Sequence, residues 1–133
     1  MVSRYAGVHA CGCPDYVYLS GCAKDLQGLV TEILISIDEG RTDVVGLSAE
    51  PVRDGSRMTP LAGLAAREEM GPVHVEVEGD TAVLIGGPEQ LRQLLRHLST
   101  RIEGGTGHHE VLRAIEEWYP FIDERTHIDL VVE

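Results

Sequence analysis

Hydrophobic and polar residues alternate in short runs along this chain and twice give way to a longer stretch with helical spacing. From position 73 the order Val-His-Val-Glu-Val-Glu puts Val73, Val75 and Val77 on one side and His74, Glu76 and Glu78 on the other. That is the period of a half-exposed strand. Gly79-Asp80 marks a turn, and the apolar run Ala82 to Ile85 follows as a buried strand. Gly86-Gly87-Pro88 then opens a helix, with Pro88 at the first helical position, where its missing N–H costs nothing. Glu89 suits the positive end of the helix dipole. Leu91, Leu94, Leu95, Leu98 and Ile102 form one apolar face, and Gly104-Gly105 ends the segment.

The same order is found 65 residues upstream. Val8-His9 falls on Val73-His74, Asp15 on Asp80, Leu19 on Leu84 and Gly21 on Gly86; Leu26, Leu29, Ile37 and Gly40 fall on Leu91, Leu94, Ile102 and Gly105. The match predicts a strand near 6–12, a turn at Pro14-Asp15, a strand at 16–20 and a helix over about 23–38. Val44 to Ala49 reads as a strand. Its counterpart, His109 to Ala114, is assigned strand on the repeat, although Val111, Leu112, Ile115, Trp118 and Tyr119 also fit a helix. Weaker strands are expected at 61–66 and 127–132, with loops at 51–60 and 67–72. The expected fold is α+β: one domain over 1–133 built from two ββαββ-like units, 1–66 and 67–133, related by a pseudo-twofold axis. The two units should pack together and share a core, because one of this size is marginal alone, and the sheet should be mostly antiparallel, since hairpins need only short turns, with both helices on one face.

The 133 residues carry 22 acids and 11 bases, a formal net charge of −11. Residues 1–65 hold 8 acids and 5 bases; residues 66–133 hold 14 acids and 6 bases. Such a balance argues against nucleic acid and against an anionic membrane surface, both of which need a basic patch. It suits a basic protein partner. The first residues lack the apolar run of a signal peptide, and no stretch is apolar enough to span a bilayer, so a cytoplasmic protein with reduced thiols is expected, as a monomer or homodimer.

The run PVHVEVEGDTAVLIGGPEQLRQLL (72–95), followed by GHHEV (107–111), EEWYPFID (116–123) and IDLVV (128–132), is similar to the immunity protein type 32 family of bacterial polymorphic toxin systems. The chain departs from that pattern at Ile128-Asp129, where the family has a Ser- and Pro-bearing turn before its last strand. The resemblance implies a non-enzymatic antitoxin that binds and blocks a toxin.

Two groups of residues are candidates for function. Trp118, Tyr119 and Phe121 sit among the acids Glu116 and Glu117, a composition shared by interface hot spots and core plugs. With Glu76, Glu78, His108 and His109 they form the expected partner-binding set, against a basic toxin. The second group is His9, Cys11 and Cys13, which share one side of a strand, with Cys22 as a possible fourth ligand. Two or three thiolates and an imidazole would suit zinc, and Cys22 at a helix start would suit thiol chemistry; the alternative is small thiols filling packing space. A third reading is a small molecule held between the two units. No cofactor is required by any motif, and no catalytic signature emerges, so an enzyme is not expected.

Overall fold

The computed structural model of the chain describes residues 5–41, 44–48, 59–104, 109–113, 122–123 and 125–133. A first series of elements is β1 (Tyr5–Cys13), β2 (Tyr16–Gly21), α1 (Ala23–Asp38), β3 (Val45–Ser48), the two-residue β4 (Thr59–Pro60) and β5 (Gly63–Glu68). A second is β6 (His74–Glu78), β7 (Thr81–Gly86), α2 (Pro88–Ile102), β8 (His109–Arg113) and β9 (His127–Val132). The fold is α+β. Residues 109–113 are strand, and the helical alternative fails there. Two expected loops are shortened: Thr59–Pro60 pairs with β1, and Arg67 and Glu68 belong to β5.

The local chemistry explains these elements. Both hairpins turn in two residues by different means. After Pro14, whose ring fixes its backbone, Asp15 takes a left-handed φ of 67°. In the second hairpin Gly79 takes φ 65°, the first central position of a type II′ turn. Helix α1 ends in a Schellman arrangement. Gly40 has φ 70°, its N–H donates to Ile37, and the Arg41 N–H donates to Ser36 over 2.8 Å. Helix α2 starts at Pro88 with Gly87 as its N-cap.

The strand order is β6-β7-β5-β3-β1-β2-β9-β8, with β4 beside β1. Antiparallel pairs are the majority, but the pairs that join the two series are parallel. β5 lies along β7, with Leu64 opposite Ala82, and β9 lies along β2, with Ile128 opposite Val17. The last strand of each series therefore sits beside the second strand of the other. The edge of β6 is partly covered: Asp15 N–H donates to the Val75 carbonyl over 2.9 Å and Asp123 N–H to that of Val73 over 2.8 Å.

Both helices pack on the same side of the strands. Leu26, Leu29, Val30 and Ile33 of α1 and Leu95, Leu98 and Ile102 of α2 meet Val17, Leu19, Leu64, Leu84, Ile128 and Leu130 around one interior. Gln27 and Ser99 join the helices reciprocally: Gln27 Nε2 donates to the Ser99 carbonyl, and Ser99 Oγ to Gln27 Oε1, each over 2.8 Å. The space left among these side chains is about 10 Å3, and its lining is apolar. A water needs roughly that volume plus polar partners, so this space between the helices and the sheet is dry.

Two glycines let the hairpins close. A Cβ on Gly86 would lie 2.9 Å from the Val73 Cα, and one on Gly21 would lie 3.0 Å from the Gly7 carbonyl oxygen and 3.3 Å from the Val8 Cα. The neighbour at Gly86 is backbone and cannot swing aside. Gly86→Ala is expected to lower stability by about 1–3 kcal/mol through overpacking, read as a lower urea midpoint with an unchanged slope.

Candidate partner-binding face

The side of β5, β7 and β6 away from the helices carries three rows set by strand register: Gly63, Thr81 and Glu78; Ala65, Val83 and Glu76; Arg67, Ile85 and His74. Period two places Glu76 and Glu78 outward on β6, as the alternation with Val75 and Val77 requires, and both are exposed. Arg67 reaches across to them. Its Nη2 donates to Glu78 Oε2 over 2.8 Å and lies 3.6 Å from Glu76 Oε2. The hydrogen bond and charge of Glu78 hold the guanidinium protonated more firmly than usual. Glu76 also lies 3.7 Å from His74 Nε2. Glu68 and Glu69 are exposed at the end of the sheet beside Gly86, and Asp80 is exposed at the opposite end of β7, next to Glu78.

A depression of about 240 Å3 opens on this face between Val44, Ala65, Arg67, Glu78, Thr81 and Val83. It exists because β5 presents Gly63 and Ala65, ahead of Arg67, where its neighbours present larger side chains. Arg67 is the residue that sequence reading passes over. The charged run Arg67-Glu68-Glu69 looks like a loop, and only the pairing with β7 shows that it continues a strand.

The sulfur and imidazole candidates are not brought together. His9, Cys11 and Cys13 do share the outer side of β1, opposite Ser20, Tyr18 and Tyr16. At about 3.3 Å per residue, however, the outer two are roughly 13 Å apart. Cys22 caps α1 at the far end of β2 from Cys13 and is exposed, whereas Cys11 is buried. Among the described residues no three His, Cys, Asp or Glu side chains are grouped to hold a metal ion. The histidines are scattered as well. His127 lies opposite Arg113 and His109 opposite Val131, at the two ends of the β8–β9 ladder, and His74 is on β6 at the far edge of the strand order. His108, Glu116, Glu117, Trp118, Tyr119 and Phe121 lie outside the described residues.

A half-buried polar contact joins the two series. Tyr16 Oη donates to Asp129 Oδ2 over 3.1 Å, diagonally across the parallel β2–β9 pair, two residues from direct opposition. Burial, then the charge and hydrogen bond of Asp129, push the Tyr16 phenol well above its ordinary pKa. The sequence signals neither partner, since the two residues are 113 positions apart.

Among the described residues no helix is long and apolar enough to cross a membrane. Comparison of the chain with protein-family models, with curated proteins and with solved structures returns no match.

Because the fold favours the protonated phenol of Tyr16, this group's stabilisation is complete below the ordinary phenol pKa of about 10 and is lost as pH rises above it. Urea midpoints measured from about pH 8 to about pH 11 should therefore fall more steeply for the parent protein than for Tyr16→Phe.

Proposed function

We propose that the protein is a non-enzymatic binding protein, an immunity protein or antitoxin that neutralises a basic toxin by occlusion. The observation that carries this reading is the acidic outer side of β6, where Glu76 and Glu78 are exposed, with Glu68 and Glu69 exposed beyond one end of the neighbouring strands and Asp80 beyond the other. The net charge of −11 and the concentration of acids after residue 65 act in the same direction. The resemblance of residues 72–132 to a family of immunity proteins supplies the biological class. An acidic inhibitor facing a basic cleft associates quickly because the two potentials steer encounter, and it repels acidic partners for the same reason.

The test is protection. Co-expression with a basic, growth-arresting protein from the same organism, sought first among the products of neighbouring genes, should rescue growth that the basic protein alone arrests, and the two should co-purify. Raising salt from about 50 to about 500 mM should slow association on the order of tenfold, because screening removes long-range steering. Glu76→Lys combined with Glu78→Lys should reduce the association rate further and flatten its salt dependence. Salt-independent association would remove the acidic surface from the account, and absence of both rescue and complex would remove the antitoxin reading.

A further inference from the structure

The depression on the outer side of β5, β7 and β6 has a shape and a charge that together select an occupant. Its floor is low because β5 contributes Gly63 and Ala65 to the outward rows. A Cβ on Gly63 would lie 2.6 Å from Val44 Cγ1 and 3.2 Å from Thr81 Oγ1, so those two side chains close in over the glycine and form a wall. Val44 is 43% exposed, an aliphatic group left uncovered at the mouth. Val83 and Ala65 complete an apolar floor. At about 240 Å3 the space lies below the ~300–1,000 Å3 of sites that enclose drug-sized ligands, and it matches a single long side chain better than a nucleotide or cofactor.

The charge at the rim sets the sign. Glu78 lines the depression and Glu76 stands in the adjacent row, with one resident cation, Arg67, between them. Two carboxylates facing one guanidinium leave a negative surplus, and Glu69 adds to it. The resident also demonstrates the geometry: a guanidinium nitrogen sits 2.8 Å from one carboxylate and 3.6 Å from the other. Among the described residues the buried Nε of Arg67 has no hydrogen-bond acceptor. A planar guanidinium on an aliphatic stem is the side chain that uses both parts of such a site, with the stem over Val83 and Ala65 and the fork on the carboxylates.

We propose that this depression receives an arginine side chain of a basic protein partner, its stem lying on Ala65 and Val83 and its guanidinium taken by Glu78 and Glu76. The proposal rests on the reading of a basic partner, and it turns a diffuse acidic surface into one anchoring pocket of the hot-spot type. An acidic patch alone would accept lysine and arginine equally and would need no cavity.

The pocket is tested with a probe that does not depend on the partner. N-acetyl-arginine N-methylamide is titrated into the full chain and followed through backbone amide resonances. Saturable shifts confined to residues 63–67 and 76–83 are expected, with a dissociation constant on the order of 1 mM for one side chain. The citrulline analogue, neutral and of nearly the same shape, should bind about tenfold more weakly or not at all, because its charge-assisted hydrogen bonds are lost. Ala65→Leu should abolish the shifts by filling the floor. Glu76→Gln combined with Glu78→Gln, exposed changes that leave the core intact, should weaken them about tenfold and serves if the leucine variant does not fold. Equal binding of the citrulline analogue, shifts elsewhere on the surface, or shifts unchanged in the glutamine double variant would overturn the proposal. Failure of growth protection alongside saturable arginine binding would instead locate the fault in the antitoxin reading.

Discussion

The structure depends on an exchange of strands. β5 has its parallel neighbour in β7, and β9 has its own in β2, so the last strand of each series is held by the second strand of the other. Neither series can bury its apolar side alone. Val17 and Leu19 need Ile128 and Leu130 beside them, as Leu64 and Ala66 need Ala82 and Leu84. The helices follow from this. α1 and α2 lie together because the strands beneath them are interleaved, and the Gln27–Ser99 pair locks a contact that the sheet has already dictated. The glycines at 21 and 86 belong to the same logic. Each hairpin must close tightly enough for its second strand to accept a foreign neighbour on its free side.

Much of this was legible in the chain and some was not, for reasons that can be named. Period-two alternation at Val73–Glu78 and helical spacing at Leu91–Ile102 survive because both are local, one face wet and one face dry. Gly40 was readable as a helix stop because an αL position selects glycine. The parallel pairings left no local mark, since nothing in Tyr16–Gly21 announces that residues 127–132 lie beside it. Arg67 was hidden by its neighbours: flanked by Glu68 and Glu69 it resembled a solvated loop, although its register opposite Ile85 makes it a strand residue facing the acids of β6. The cysteines show the opposite error. Placing His9, Cys11 and Cys13 on one side was correct, but residues that share one side of an extended strand spread along it instead of converging.

The acids of β6 serve two physical ends at once. A strand at the end of a sheet is exposed to unwanted pairing, and charges on it discourage that. Glu76 and Glu78 meet this need while holding Arg67 over the shallow part of β5, and the neighbouring hairpin turn at Asp15 occupies the Val75 carbonyl of the same strand, as Asp123 occupies that of Val73 just before it. Their placement is compatible with a binding role because they are already held by a cation in the free protein. Their cost of desolvation is partly met before any partner arrives.

The β2–β9 ladder also governs the order of events during synthesis. Every pair in it joins residues 111 positions apart, from Tyr16 with His127 to Gly21 with Val132. A growing chain can form its first hairpin and first helix early, yet it holds an open side along β2 until residues 127–132 emerge from the ribosome. Closure of such long loops is slow, and incomplete chains expose unpaired strand edges while they wait. The protein thus reaches its stable state only when nearly all of its described residues are present, and a chaperone that shields β2 in the interval would raise its yield more than one that assists either helix.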